Sequence, residues 1–261
     1  MSTKRRVALV TGAAQGIGRA VANRLASDGL DVALVDRELH LLEDAARDVE
    51  GFGRSALPLA CDVTVSAEVE FAVDSCIGTL GSIDVLVCCA GVLRDAAILD
   101  ISDDDWSLVV DVNLTGAFNC VRAVAKHMIG QHFGKIVLVS STSAQGNIGQ
   151  ANYSAAKSGI EGLTRALSLE LGPDNINVNA VAPGFTITEM TRALATKRNM
   201  SFDELITSAA ADIPLRRVAQ PSDLANVIAF FTSEDSSFVS GQILYATGGA
   251  RGSTARRSQT D

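Results

Sequence analysis

Short apolar runs alternate along the chain with longer stretches in which apolar residues recur at helical spacing. The runs predict strands and the longer stretches predict helices. Strand, helix and strand repeated in this way are typical of a parallel sheet with right-handed crossovers, so we predict an α/β fold with a doubly wound parallel sheet of about seven strands and helices on both faces. The predicted strands are 7–10, 32–35, 56–60, 83–88, 136–139, 176–181 and 242–245, and the predicted helices are 16–28, 38–50, 66–80, 102–129, 152–171 and 221–233.

No stretch rich in proline, glycine or serine interrupts this alternation. We therefore predict one domain over residues 1–250. Residues 184–215, between the sixth strand and the last helix, are long, partly polar and helical in pattern, which is typical of a lid over a binding site. The polar residues 251–261 predict a disordered tail.

The composition narrows the class of protein. The 261 residues carry a formal net charge of -8 and no basic stripe, which argues against nucleic acid and anionic membranes as partners. No uninterrupted apolar run reaches the roughly 18 residues of a membrane span, and none near the start is long enough for a signal peptide. Five cysteines without a Cys-x-x-Cys pair are typical of reduced thiols. We expect a cytoplasmic protein without a metal site.

The first strand runs into Thr11–Gly18, a glycine-rich segment that we call the glycine loop, and a helix follows it. Its glycines let backbone N–H groups approach a pyrophosphate, which then lies on the positive end of the helix. The segment therefore predicts a Rossmann-type dinucleotide site, and the alternative is a tight turn whose glycines only permit close packing. The predicted binding residues are Gly12, Gln15, Gly16, Ile17 and Gly18.

Asp36 ends the second predicted strand. A carboxylate at this position can accept hydrogen bonds from the adenosine ribose and repels a 2′-phosphate. The adjacent Arg37 can instead pair with that phosphate, whereas the uncharged Gln15 in the glycine loop favours NAD. We therefore predict NAD as cofactor, with NADP as the alternative. A simpler alternative is that Asp36 only begins the next turn.

Tyr153 and Lys157 lie four positions apart on a predicted helix and therefore share one face. A nearby ammonium favours the phenolate and lowers the pKa of a tyrosine, which is otherwise about 10. The pair can then donate a proton to a carbonyl oxygen as a hydride arrives, or accept one in oxidation. Hydroxyl residues 140–143 follow the fifth strand, at the edge of the sheet where α/β proteins bind ligands. An ordinary exposed Tyr–Lys pair is the alternative.

With these features in order, the chain resembles the short-chain dehydrogenase/reductases that carry a Thr-Gly-x-x-x-Gly-x-Gly loop and a Tyr-x-x-x-Lys pair. The resemblance runs from about Arg6 to Gly249, and the stretch 146–157 is similar to the bacterial 3-oxoacyl-carrier-protein reductases. Further motifs fall at the family's spacing, namely Asp62-Val63, Ala90-Gly91, Val112-Asn113-Leu114 and Pro183-Gly184.

The resemblance implies a role for each matching residue. Tyr153 is implied as the general acid/base, and Lys157 as the group that lowers its pKa and holds the nicotinamide ribose. Asn113 is implied to position a water that links Lys157 to solvent, and a serine to hydrogen-bond the substrate oxygen. The remaining implied cofactor residues are Asp62 and Val63 beside the adenine, Cys89, Ala90 and Gly91 beside the ribose, and Pro183, Gly184, Thr186 and Thr188 at the nicotinamide end.

Two positions depart from the family pattern. Cys89 stands where the family usually has an asparagine, and because a thiol is a weak donor we expect only its backbone to line the ribose. Counting back from Tyr153 assigns the catalytic serine to Ser140, whereas aligning the end of the fifth strand assigns it to Ser141. We favour Ser141, because the strand end fixes where the side chain points.

We therefore predict an NAD-dependent oxidoreductase that transfers a hydride between a secondary alcohol or ketone and the nicotinamide. The alternative enzyme is an NADPH-dependent 3-oxoacyl-ACP or acyl-CoA reductase, and the alternative of another class is a non-catalytic nucleotide-binding regulator. The resemblance implies a homotetramer. The candidate substrate-pocket residues are mostly apolar, which indicates an aliphatic, alicyclic or acyl substrate: Val92, Leu93, Ala144, Gln145, Ile148, Phe185 and Ile187.

Overall fold

The computed structural model describes residues 5–197 and 199–249. Their strands are β1 Val7–Thr11, β2 Asp31–Asp36, β3 Ala56–Ala60, β4 Val85–Cys88, β5 Gly134–Val139, β6 Ile176–Pro183 and β7 Ile243–Ala246. The strands are parallel and form one sheet in the order β3-β2-β1-β4-β5-β6-β7. The chain first winds outward from β1 to β3 and then returns to place β4 on the other side of β1. This reversal opens a crevice at the carboxyl ends of β1 and β4, where open α/β sheets bind ligands.

Nine α-helices connect and cover the strands in the described residues. They are α1 Gly16–Ser27, α2 Leu39–Gly51, α3 Ser66–Leu80, α4 Asp103–Val110, α5 Gly116–Gln131, α6 Ala151–Leu171, α7 Glu189–Lys197, α8 Phe202–Asp212 and α9 Pro221–Thr232. The predicted α/β class, the seven strands and the helices on both faces are confirmed, and most predicted ends lie within two residues of those observed.

The side chains of each strand alternate between two separate cores, one on each face of the sheet. On one face, α3, α5 and α6 pack against strand residues such as Leu9, Leu86 and Leu138. On the other face, α1, α2 and α9 pack against residues such as Val10, Val87 and Val137. Both faces of the central strands are therefore buried, which explains why those strands are apolar runs rather than alternating sequences.

The helix predicted over 102–129 is interrupted. A π-helical turn, Asp111–Thr115, joins α4 to α5 and adds one residue to the local turn. Ser102 caps the start of α4, where its hydroxyl accepts the N–H of Asp105. Hydrophobic periodicity could predict the helical segment but could not predict the wide turn, which sets the direction of Asn113.

Within the described part of the chain, one helical segment, Asp103–Gln131, would be long and apolar enough to cross a membrane by length and composition alone. It carries three aspartates in its first turn and packs against α3 and α6 in the domain. Buried helices of water-soluble domains meet the same criterion. The prediction of no membrane span concerns uninterrupted apolar runs, and polar residues such as Asn119 interrupt this one.

The predicted lid contains two helices, α7 and α8. A capping box begins α8, because Ser201 and Glu204 each accept the backbone N–H of the other. The isolated bridge between Thr186 and Ala219 ties the two ends of the segment together. The predicted tail, 251–261, lies outside the described residues.

Candidate active site

The glycine loop leads from β1 into α1, and its backbone lies in close contact with the backbone of neighbouring residues. Gly12 and Gly16 have positive φ angles of 66° and 57°. A Cβ on Gly12 would lie 2.8 Å from the backbone nitrogen of Ala90, and one on Gly18 would lie 2.0 Å from the carbonyl oxygen of Gly12. These positions exclude side chains, so the backbone N–H groups at the start of α1 can approach a phosphate closely.

Asp36 is the last residue of β2, and its side chain reaches the glycine loop. Its carboxylate accepts the backbone N–H of Ala14 at 3.1 Å and that of Arg37 at 2.8 Å. These bonds fix a negative charge beside the loop, where the ribose of a bound adenosine would lie. The Arg37 side chain lines the same opening.

A cavity of about 650 Å³ runs along the carboxyl edge of the sheet. Every residue predicted to bind the cofactor lines it, from the glycine loop and Asp36 to Thr186 and Thr188, and so does Ser141. Of the candidate substrate residues, Val92, Leu93 and Phe185 line it as well. The other four candidates are not among its lining residues: Ala144, Gln145, Ile148 and Ile187. Of these, Ile148 is 90% exposed to solvent.

The segment predicted to bind the nicotinamide, residues 183–188, lies next to the glycine loop. The N–H of Gly184 donates to the carbonyl of Ala246 at 3.0 Å, which joins the end of β6 to β7. The Thr188 methyl lies close to the glycine loop, because a Cβ built on Gly16 would be 3.4 Å from it. Thr191 holds Thr188 by accepting its backbone N–H at 2.9 Å. Thr188 therefore lies beside the glycine loop, and Pro183 and Gly184 line the same cavity.

Tyr153 and Lys157 lie on the cavity side of α6. The Lys157 ammonium lies 5.5 Å from the centre of the Tyr153 ring and donates to the carbonyl of Val139 at 2.8 Å. Burial lowers the pKa of Lys157 to about 8, although the nearby Cys89 and Cys88 raise it. The amine can therefore gain and lose a proton near neutral pH.

The pKa of Tyr153 moves in the direction opposite to the one expected from the sequence. Burial raises it to about 12, a hydrogen bond with Ser141 lowers it, and the negative charge of Asp95 raises it. Burial of the phenol is the largest of these influences. The phenol therefore holds its proton at neutral pH, which is the form needed to protonate a carbonyl oxygen.

Asn113 lies in the π-helical turn, behind the cavity wall. Its amide nitrogen donates to the carbonyls of Val92 and Val109, both at 2.9 Å. Its Oδ1 is buried without a hydrogen-bond partner among the described residues. A Cβ built on Gly91 would meet this oxygen at 2.8 Å and Lys157 Nζ at 3.8 Å, so the oxygen and the ammonium converge on one point. The absence of a side chain at Gly91 keeps this point open.

The two candidate serines point in different directions. Both serines line the cavity, but only Ser141 is hydrogen-bonded to Tyr153 and so lowers its pKa; the Ser141 hydroxyl also accepts the N–H of Ser143 at 3.1 Å. The hydroxyl of Ser140, which is 1% exposed, donates to the carbonyl of Lys157 at 3.2 Å and to Glu161 at 3.4 Å. Ser141 is therefore the serine next to the phenol, whereas Ser140 joins the end of β5 to α6 by hydrogen bonds.

Cys89 lines the cavity close to Lys157. Burial raises the pKa of its thiol to about 12, although Lys157 lowers it, so it remains a neutral thiol. Cys88 is hydrogen-bonded to Cys120 in the core. All five cysteines are free thiols, and no cluster of metal-ligating side chains occurs within the ranges the structure describes. The backbone at Cys89 follows the glycine loop, since its N–H donates to Thr11 at 3.2 Å.

Several lining residues carry no recognisable sequence signal. They are contributed by the segment after β5, by the lid and by the end of the chain, and include Ser143, Gln150, Leu194, Asp212, Ile213 and Thr247. Their only shared property is position after a strand or inside the predicted lid. Gln150 is the nearest to a signal, because it lies three residues before Tyr153.

A family model described as enoyl-(acyl carrier protein) reductase matches residues 12–251. The 3-oxoacyl-[acyl-carrier-protein] reductase FabG of Staphylococcus aureus is 38% identical over 244 residues, which are 93% of this chain and 96% of that protein. This chain belongs to the short-chain dehydrogenase/reductase family.

Two solved structures of such folds superimpose closely on this short-chain dehydrogenase/reductase. NAD+-bound xylitol dehydrogenase has a TM-score of 0.90 and 34% identity, with 95% of this chain and 100% of that chain covered. A variant of actinorhodin polyketide ketoreductase with NADPH has a TM-score of 0.90 and 35% identity, with 95% and 98% covered. The protein is accordingly an oxidoreductase that interconverts an alcohol and a ketone with a nicotinamide dinucleotide.

Proposed function

We propose that this enzyme is an NAD-dependent dehydrogenase/reductase of secondary alcohols and ketones. The observation that carries the choice of cofactor is Asp36, whose carboxylate is hydrogen-bonded to the glycine loop. At that position it can accept hydrogen bonds from both ribose hydroxyls, and it would repel a 2′-phosphate. The neutral Gln15 in the loop offers no positive charge to offset that repulsion.

The proposed catalytic residues are Asn113, Ser141, Tyr153 and Lys157. Bound NAD would supply the carbon that gives or takes the hydride. In reduction, the protonated Tyr153 phenol donates its proton to the carbonyl oxygen, and Ser141 holds that oxygen by a hydrogen bond. Lys157, whose pKa of about 8 lies near neutrality, returns a proton toward the phenol. Asn113 Oδ1 faces the ammonium and can hold a water that connects it to solvent.

The remaining cofactor contacts follow the walls of the cavity. With the dinucleotide bound, Asp62 and Val63 would flank the adenine, and Cys89, Ala90 and Gly91 would follow the ribose. The residues that would hold the nicotinamide end are Pro183, Gly184, Thr186 and Thr188; all of these residues line the cavity. The substrate end, within the lid, has mostly apolar walls that include Val92, Leu93, Phe185 and Leu194. Such walls favour an aliphatic, alicyclic or acyl substrate.

Two further expectations belong to this proposal. We propose a homotetramer, which is supported by half-exposed apolar side chains such as Trp106 and Phe118 on α4 and α5. We also propose a cytoplasmic location, which is supported by the five free thiols.

A second candidate function is an NADPH-dependent 3-oxoacyl thioester reductase. It is favoured by the similarity to FabG and by Arg37, which lines the ribose end of the cavity and could pair with a 2′-phosphate. A non-catalytic nucleotide-binding regulator has no observation in its favour, because all four residues of the proposed reacting centre are present and converge.

The test is a comparison of NADH and NADPH in hydride transfer to a panel of ketones and 3-oxoacyl thioesters, followed by the absorbance of the reduced nicotinamide. We expect kcat/KM to favour NADH, and Asp36→Ala to shift the ratio toward NADPH by about 10-fold or more because like charges no longer oppose each other. Glu43→Gln, an exposed acid on α2, is the matched control and should leave the ratio unchanged. A wild-type preference for NADPH would overturn the NAD assignment.

A further inference from the structure

Three segments meet at Asp95, next to the substrate end of the cavity. Asp95 belongs to the loop between β4 and α4, of which we call residues 92–100 the substrate loop. The Asn152 side chain, fully buried at the start of α6, donates to the carbonyl of Arg94 at 3.0 Å. The N–H of Ala96 donates to the carbonyl of Gly149 at 2.9 Å. Lys197, the last residue of α7 in the lid, donates to the main-chain oxygen of Asp95 at 2.6 Å.

The Asp95 carboxylate holds the centre of this junction through Gln150. Gln150 is 8% exposed and donates to Asp95 Oδ2 at 3.0 Å. Its own oxygen accepts the hydroxyl of Ser143 at 2.8 Å and the amide of Asn147 at 2.9 Å. A chain of hydrogen bonds therefore runs from the substrate loop, through the residue three positions before Tyr153, to the segment that carries Ser141.

The second carboxylate oxygen of Asp95 differs from the first in its hydrogen bonding. Asp95 Oδ1 is buried and has no hydrogen-bond partner among the described residues. A buried carboxylate oxygen without a partner costs stability, so such a group calls for an explanation other than packing. Asp95 does not line the cavity itself, and it can therefore influence the reaction only through its partners and its charge.

We propose that Asp95 is a positioning residue of this enzyme: through Gln150 it holds the substrate loop against the start of α6, and it sets a negative charge beside Tyr153. The proposal rests on the proposed role of Tyr153 as general acid/base. It assigns a function to Asp95 and Gln150 that neither the glycine loop nor the Tyr–Lys pair requires.

The charge has a consequence for proton transfer. The titratable groups near the phenol are Lys157 on its own helix and Asp95 on the substrate loop. Cys89 after β4 lies near Lys157, and Glu189 and Asp212 line the cavity from the lid. After burial and the opposing Ser141 hydrogen bond, the Asp95 charge helps to keep the pKa of Tyr153 raised. Its removal should lower that pKa, so oxidation, which needs the phenolate, should begin at lower pH.

Asp95→Asn and Asp95→Ala separate the charge from the hydrogen bond. Asparagine can still accept from Gln150, whereas alanine cannot. We expect Asp95→Asn to shift the pH profile of alcohol oxidation to lower pH by at least about 0.5 pH units, as removal of a nearby charge does. We expect Asp95→Ala to lower kcat/KM for the alcohol by about 10-fold or more, and Gln150→Leu to lower it in the same way, because the loop loses its attachment.

Asp100→Asn, an exposed acid on the same loop, is the matched control and should keep the wild-type profile. Asp95→Asn keeps the proposal testable even if Asp95→Ala fails to fold. An unshifted profile in Asp95→Asn, together with an inactive Tyr153→Phe, would overturn this inference and leave the proposed function intact. An active Tyr153→Phe would instead overturn the proposed function.

Discussion

The adenosine end and the substrate end of the cavity are built in different ways. At the adenosine end the wall is backbone: all five residues of β1 are buried, and the glycine loop touches Ala90 so closely that a Cβ on Gly12 has no room. At the substrate end the wall consists of side chains from the substrate loop, the segment after β6 and the lid helices α7 and α8. Within the described ranges each of these two helices buries one residue, Ala195 and Leu205 respectively.

This difference indicates which parts of the cavity wall can accept substitutions without loss of hydride transfer. A backbone wall depends on the absence of side chains, so almost any substitution blocks it. A wall of half-buried side chains can be rebuilt to fit another substrate while the sheet stays the same. The reacting centre, Tyr153 with Ser141 and Lys157, lies between the two ends. Four predictions test the two ends and the reacting centre between them, and they run from the largest expected effect to the smallest.

Gly18→Ala should have the largest effect, because its Cβ would lie 2.0 Å from the Gly12 carbonyl oxygen and neither backbone can yield. We expect NADH binding to weaken by more than about 100-fold and the free energy of unfolding to fall by about 1–3 kcal/mol. Fluorescence titration with NADH and thermal unfolding measure the two effects. Gly78→Ala, in α3 with open space around it, should be neutral or slightly stabilising. Equal behaviour of the two variants would contradict a backbone wall.

Ser141→Ala should remove a donor from the centre that the two ends share. We expect kcat to fall by about 100-fold with little change in NADH affinity, since the hydroxyl acts on the substrate oxygen. Ser140→Ala should lower the free energy of unfolding by about 1 kcal/mol through its lost bonds to Lys157 and Glu161, and should affect kcat far less. Steady-state kinetics on both variants decide. A larger loss of kcat in Ser140→Ala would reverse the assignment.

Lys157→Met should stabilise the fold at neutral pH. The folded-state pKa of Lys157 is about 8 against an ordinary 10.5, so below pH 8 the folded chain must bury a charge that the unfolded chain keeps in water. This cost disappears as pH rises from 8 toward 10.5. We expect the variant to be more stable than wild type at pH 7 by about 1–3 kcal/mol, with a smaller difference at higher pH.

Denaturant unfolding at several pH values measures this effect, and Lys126→Met, at an exposed lysine on α5, is the control. A stability difference that stays constant from pH 7 to pH 10 would mean that the buried charge is not its cause.

Leu194→Ala should have the smallest effect and confine it to the substrate end. Leu194 is half-buried on α7 and lines the cavity. Loss of its apolar contact should raise the KM for an apolar ketone by about 3-fold to 10-fold, and should leave NADH affinity within about 2-fold of wild type. Leu169→Ala, at a residue 81% exposed on α6, should change neither. A larger effect on NADH than on the ketone would show that the two ends are not separable.

The contrast between a backbone wall and a side-chain wall also explains which features the sequence could predict. The backbone end follows from local patterns, because the glycine loop, Asp36 and the buried strands are each readable within a few residues. The choice between Ser140 and Ser141 depended on where the fifth strand ends. In the structure Ser141 is the serine that is hydrogen-bonded to the Tyr153 phenol. The π-helical turn at Asn113 has no periodic signal, since it keeps the apolar pattern of an α-helix.

Other features depend on distant contacts. Asp95 and Gln150 are 55 residues apart, so nothing in the local pattern could pair them. The direction of the Tyr153 pKa also could not be predicted, because the spacing to Lys157 is visible in the sequence whereas the burial of the phenol is not. The residues with no signal thus concentrate at the substrate end, where side chains rather than backbone form the wall.

The central claim is that Tyr153 transfers the proton at the point where the two ends meet. The most direct test is single-turnover oxidation of bound NADH by a ketone that the wild-type enzyme reduces, measured with Tyr153→Phe. The account predicts NADH affinity within about 2-fold of wild type and a rate lowered by about 100-fold to 10,000-fold, the range that general acid catalysis contributes. A Tyr153→Phe enzyme that binds NADH and reduces the ketone at a rate close to wild type would contradict it.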